Sequence, residues 1–148
     1  MVTDEGVRKV CSLLPALVSL DLTNCDSINT SGVRAVCSKT SLKSLNLTLC
    51  YIKEEDVREV CSSLPALTSL NLGCSLPNDA LRAVSGMRAL TSLNLNFCLD
   101  VTDVGLLALS RLPALAHLHV AECDKVTEAG VQALRNTTAS PSLEIISG

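Results

Sequence analysis

Apolar and polar residues alternate along this chain in a phrase that keeps returning. It first runs Leu17-x-x-Leu20-x-Leu22-x-x-Cys25, with Ser19, Asp21 and Thr23 standing between the apolar positions. A period of two over so few residues predicts a short strand with one buried face. The phrase returns from Leu42 to Cys50, from Leu67 to Cys74 with one residue fewer, from Leu90 to Cys98, and from Leu115 to Cys123 with Val120 as its last aliphatic. It begins again at Leu143-x-x-Ile146. The leading leucines, Leu17, Leu42, Leu67, Leu90, Leu115 and Leu143, follow one another at 25, 25, 23, 25 and 28 residues. Spacing of that length marks an array of structural repeats, each too small to bury a core alone and dependent on stacking against its neighbours.

A second pattern follows each strand. Val33, Val36 and Cys37 obey the i, i+3, i+4 rule for one face of a helix. The pairs Val2/Val7, Ile28/Val33, Ile52/Val57, Leu76/Leu81, Val101/Leu106 and Val126/Val131 repeat one five-residue step from strand exit into helix. Thr3, Thr102 and Thr127 stand where an N-cap hydroxyl accepts from a first-turn amide. Asp4, Asp103 and Glu128 come next, at the positive end of the helix dipole. Pro15, Pro65 and Pro113 end helices because proline lacks the amide needed to continue. Strands about 4.8 Å apart stacked beside helices that need about 8–10 Å bend the array. The fold class expected is therefore α/β: a solenoid arc of about six repeats, with a parallel sheet on the concave face and helices on the convex face. All of 1–148 reads as one domain.

The cysteines fall into the same columns. Cys25, Cys50, Cys74, Cys98 and Cys123 sit just past the strands, while Cys11, Cys37 and Cys61 lie on inner helix faces. No C-x-x-C pair exists, so zinc is not indicated and buried thiols are expected. These columns carry a resemblance. The wording L-x-x-L-x-L-x-x-C-x-x-[IV]-[TN]-[DS]-x-G-[VL], met closely at Leu17–Val33, Leu90–Leu106 and Leu115–Val131, resembles the cysteine-containing leucine-rich repeats of F-box substrate receptors and mitotic-exit antagonists of the AMN type. The resemblance implies a right-handed leucine-rich-repeat solenoid and a protein-binding role. No F-box segment stands among these residues. The chain departs from the wording at Cys74-Ser-Leu-Pro77, where Pro77 replaces the usual cap, and at Asn136–Pro141, where an irregular last strand is expected.

Composition narrows the function. The 148 residues include one Tyr, one Phe and no Trp, and carry a net charge of −3. Scattered basic residues and the want of aromatic platforms argue against nucleic acid. No signal peptide or membrane-spanning run is visible, which places the expected compartment in the cytoplasm or nucleus and makes the sequons at Asn46 and Asn136 incidental. No nucleophile, base and orienting group converge, so no enzyme activity and no cofactor are expected. Residues between the buried leucines face the concave surface, as solvated strand positions or as a binding face: Ser19, Ser44, Ser69, Ser92, His117 in one column and Asp21, Asn46, Asn71, Asn94, His119 in the next. The candidate protein-binding residues are Asn71, Asn94, Asn96, Phe97, His117, His119 and Glu122, with Leu99 and Asp124 close by and Phe97 as the one large aromatic outside the core. His117-x-His119 offers two metal donors on one strand face but no third. The leading function is a non-enzymatic interaction scaffold. The alternative is the substrate-recognition part of an F-box-type ubiquitin-ligase subunit. The array ends lack polar caps, which is read as a segment of a longer protein or as ends that self-associate.

Overall fold

The computed structural model describes residues 1–73 and 76–147. Cys74 and Ser75, on which the third cysteine-column position and part of the shortened phrase fall, lie outside the described residues. The chain runs α1 (Asp4–Leu13), β1 (Ser19–Asp21), α2 (Thr30–Cys37), β2 (Ser44–Asn46), α3 (Glu54–Ser63), β3 (Ser69–Asn71), α4 (Asn78–Val84), β4 (Ser92–Asn94), α5 (Asp103–Ala108) continued by a 3-10 turn (Leu109–Arg111), β5 (His117–His119), α6 (Glu128–Thr137) and β6 (Glu144–Ile146). The strands pair in chain order as one parallel sheet, in register Ser19↔Ser44↔Ser69↔Ser92↔His117↔Glu144. This is the expected solenoid of about six repeats. β6 keeps the register, so the irregular last strand expected from the long polar return does not occur. The return is tied down by the Ala139 amide, which donates to Ser110 O at 2.7 Å, and by the buried Ser140.

The core lies between sheet and helices and is aliphatic. Leu42, Leu45, Leu67, Leu70, Leu90, Leu93, Leu115 and Leu118 are buried from the sheet side, and Val33, Val57, Leu81 and Leu106 from the helices. The five-residue step is borne out by Ile28, Ile52, Leu76 and Val101, all buried with their helix partners. Along the strand exits the Cys50, Cys98 and Cys123 thiols donate to Leu22 O, Leu72 O and Leu95 O at 3.0, 3.4 and 3.0 Å, each a carbonyl of the preceding repeat. The seven described cysteines are thiols, not disulfides. Burial pushes the Cys37 and Cys61 thiols up to about 12 and Cys50 up to about 11.

Helix starts are joined across repeats. Thr3 and Thr127 cap as expected, accepting from the amides of Gly6 and Gly130. Thr102 occupies the cap position without such a bond; its hydroxyl instead accepts from Asn78 Nδ2 at 2.9 Å. The reason is a ladder in which the first residue of one helix serves the cap residue of the next repeat. Asp4 Oδ1 accepts from the Asn29 amide at 3.1 Å, Asn78 Oδ1 from the Thr102 amide at 3.0 Å, and Asp103 Oδ1 from the Thr127 amide at 2.8 Å. Asp4, Asn78 and Asp103 therefore press on the third helical residue of the repeat that follows, and in each case that residue is glycine: Gly32, Gly105, Gly130. The second helix begins with Thr30, and there the following repeat carries Asp56, whose own Oδ2 accepts from the Lys53 amide at 2.8 Å. In the fourth repeat the cap is Pro77, which has no amide to satisfy. Proline is thus a fitting cap where the preceding helix begins with Glu54, whose carboxylate pairs with Arg58 on its own helix.

Candidate functional site: the sheet face and its strand-exit edge

The polar columns of the strands line the outer face of the sheet, and short-range chemistry uses many of their atoms. Asp21 Oδ1 accepts from the Thr23 amide at 2.8 Å and from the Thr23 hydroxyl at 2.6 Å. These bonds, the hydroxyl's first, hold the Asp21 carboxyl below its ordinary range. Asn46 Oδ1 and Asn94 Oδ1 accept in the same way from the Thr48 and Asn96 amides at 3.0 and 2.8 Å. His119 takes the place of the turn-closing asparagine in the fifth repeat, and Asn96 Oδ1 from the fourth accepts from the Ala121 amide at 2.8 Å. The side-chain oxygen of Asn94 thus closes a turn and that of Asn96 bridges to the next repeat, which leaves their NH₂ groups as the polar handles toward a partner.

After the strands the backbone turns through the left-handed region at Asn24, Leu49, Phe97 and Glu122, with φ of 59°, 58°, 64° and 56°. The amides of Asn24, Leu49 and Phe97 donate to Thr48 O, Gly73 O and Ala121 O of the following repeat at 2.9, 3.1 and 3.0 Å. The exits of the first three repeats, and those of the fourth and fifth, are therefore stitched to one another. Gly73 is closely surrounded: a Cβ there would lie 2.9 Å from Thr48 Cγ2 and 3.0 Å from Asn96 O.

The left-handed turn aims its side chain outward. Leu49 is 56% and Phe97 57% exposed, and two residues further on Tyr51 is 77% and Leu99 48% exposed. Phe97 is therefore not the one large aromatic outside the core: Tyr51 stands in the open too, beside Leu49. The equivalent positions are Asn24 and Asp26 in the first repeat and Glu122 and Asp124 in the fifth, all exposed. The missed signal was the repeat alignment itself, which places Leu49 and Tyr51 in the columns of Phe97 and Leu99.

The other candidates gather over β3 to β5. Asn71, Asn94 and His119 are successive register partners, as are Ser92 and His117, and Asn96, Phe97 and Glu122 occupy the exits of β4 and β5. His117 Nδ1 lies 3.4 Å from Glu144 Oε2 on β6. No group of three or more His, Cys, Asp or Glu that could hold a metal occurs among the described residues, and no described helix is long and apolar enough to cross a membrane.

A one-sheet array with polar strand faces, an aliphatic core and apolar side chains raised along one edge defines a repeat solenoid built to present surface. Residues 15–37 and 87–110 match the family profile described as Leucine Rich repeat. Those two stretches, about a third of the chain, carry leucine-rich repeats, and proteins built of such repeats are in general non-enzymatic interaction modules. Among solved structures it is similar to a chain of the yeast Rad7 and Elc1 complex, at TM-score 0.78 and 23% identity over 98% of this chain and 39% of that one. It is also similar to internalin C2 of Listeria monocytogenes, at TM-score 0.67 and 20% identity over 96% of this chain and 56% of that one. At such identities the likeness is one of fold. The chain spans little more than half the length of the internalin and less of the other. No curated protein matches it.

Proposed function

We propose that this array is a protein-binding scaffold whose partner lies across the sheet face and the strand-exit edge. Asn71, Asn94, Asn96, Phe97, His117, His119 and Glu122 are contact residues, joined by Leu49, Tyr51 and Leu99. The observation that carries this reading is the exposure of four large apolar side chains on an edge stiffened by inter-repeat hydrogen bonds, where aromatic anchors beside polar groups have the composition of an interface centre. Thiols packed without disulfides support a reducing compartment, cytoplasm or nucleus. The continuous sheet supports reading 1–148 as one domain.

A second reading, substrate recognition within a ubiquitin-ligase assembly, draws on the resemblance to F-box-type repeats and on the fold likeness to a chain crystallised within a two-protein complex. The tagged chain, incubated in cell extract and crosslinked, separates the two: ligase adaptors among the crosslinked proteins favour the second reading, and partners without adaptors favour the first. Phe97→Ala with His119→Ala is expected to abolish capture at an unchanged melting temperature. Undiminished capture by that variant removes these residues from the interface.

A further inference from the structure

The edge is patterned along its length, and the pattern describes its ligand. Apolar pairs stand at the second and fourth repeats, Leu49 with Tyr51 and Phe97 with Leu99. Acid brackets them: Asp26 at the first repeat, Glu122 and Asp124 at the fifth. None of these three carboxylates pairs with a lysine or arginine among the described residues, while the bases next in sequence to the edge positions are engaged, Lys125 with Asp100 at 2.8 Å and Lys53 with Glu55 at 3.9 Å. Asp21 and Glu144 add negative charge on the outermost strands. With strands about 4.8 Å apart, the span from first to fifth repeat is roughly 20 Å, the reach of about six extended residues.

Resting on the reading of the chain as a binding scaffold, we infer that this edge takes a short protein segment whose large apolar side chains are flanked by lysine or arginine. An anionic ligand, whether nucleic acid or an acidic lipid surface, meets repulsion at both ends of the edge. The apolar centre supplies burial, and the charged ends supply orientation and a salt-dependent encounter. Leu49 and Phe97 hold left-handed backbone for which Asn24 shows a less strained occupant. Large apolar side chains exposed on that costlier backbone accord with a use outside the fold.

The probe is a phage-displayed random peptide library selected on the immobilised chain, followed by titration of the enriched peptide made without tyrosine or tryptophan. Tyr51 is the only tyrosine and the chain has no tryptophan, so its intrinsic emission reports occupancy of the edge in the unaltered protein. Expected are enriched peptides with apolar residues bracketed by bases, a Tyr51 emission change on binding, weakening by about tenfold or more in Leu49→Asn/Phe97→Asn, and further weakening in Asp26→Lys/Glu122→Lys/Asp124→Lys. Asn at the left-handed positions copies the first repeat, and circular dichroism checks the fold. Peptides that bind without moving Tyr51 emission, or that ignore these substitutions, overturn the edge proposal and leave the scaffold reading intact. Acidic or uncharged consensus peptides overturn the charge assignment, and no enrichment overturns the peptide proposal. Failure of the unaltered chain to capture any partner in the crosslinking experiment as well overturns the scaffold reading itself.

Discussion

Glycine-to-alanine changes at equivalent helix positions are expected to act with opposite signs, because the ladder between helix starts fills one site and leaves the other open. A Cβ at Gly105 would lie 2.2 Å from Asn78 Oδ1 and 2.8 Å from its Cγ, whereas at Gly6 the nearest atom is Thr3 Oγ1 at 3.7 Å. Gly105→Ala must expel the Asn78 amide, losing its two bonds to Thr102, each worth about 1 kcal/mol. The helix gains about 1 kcal/mol from alanine over glycine, so the net loss is about 1 kcal/mol. Gly6→Ala meets only ordinary contact and is expected to stabilise by about 0.5–1 kcal/mol. Asn78→Ala forfeits the same two bonds, about 2 kcal/mol, and adding Gly105→Ala to it is expected to cost almost nothing further, since the remaining Asn78 Cβ stands at 3.2 Å. Urea denaturation of the four variants closes the cycle with a coupling of about 1–2 kcal/mol. Equal shifts for Gly6→Ala and Gly105→Ala, or additive effects of Asn78→Ala and Gly105→Ala, would refute the ladder as the reason for glycine.

Leu49→Asn is expected to stabilise the fold by about 1 kcal/mol, because asparagine tolerates the left-handed backbone better; a lowered melting temperature counts against this. Cys37, Cys50 and Cys61 should resist alkylation in the native protein at mildly alkaline pH and react in urea, as followed by mass spectrometry. The same upward shifts, from 9.0 to about 12, 11 and 12, mean that unfolded thiols ionise first. Stability conferred by the buried thiols is full below about pH 9 and falls as pH rises toward 12, and replacing all three with alanine should flatten that decline. Glu144→Gln removes an exposed partner of His117 and is expected to change stability by less than about 0.5 kcal/mol, whereas a larger loss in thermal denaturation would show that the pair anchors β6.

The leucine and cysteine columns made the architecture legible, because burial on alternate strand residues and on one helix stripe leaves a direct mark in the letters. What escaped were interactions whose two halves lie a repeat apart. Thr102 reads as an N-cap within its own helix, yet its hydroxyl is held by Asn78, 24 residues earlier. Asn94 and Asn96 read as contact residues, but the oxygen of Asn94 closes a turn and that of Asn96 holds the Ala121 amide, 25 residues later. Tyr51 reads as core by hydrophobicity alone, and only the turn at Leu49, left-handed without any glycine to announce it, shows that this stretch faces outward. His117 and His119 were placed on one sheet face as the period of two requires, while the carboxylate beside His117 comes from the strand whose order was hardest to foresee.

The ladder of helix starts has a consequence for how such an array can change over generations. A donor side chain and the glycine that accommodates it lie in successive repeats, so a single duplicated or excised repeat carries only half of each match. Asp4 suits Gly32 but not a residue such as Asp56, and Thr30 tolerates Asp56 where Asn78 would not. The heritable unit is the junction, running from the start of one helix to the start of the next across the strand between them, so a breakpoint within that strand parts a donor from its glycine. Lengthening or shortening of this array should therefore be tolerated where the helix starts newly brought together match, an Asp or Asn donor meeting glycine, and fail where a donor such as Asp4 is set against Asp56.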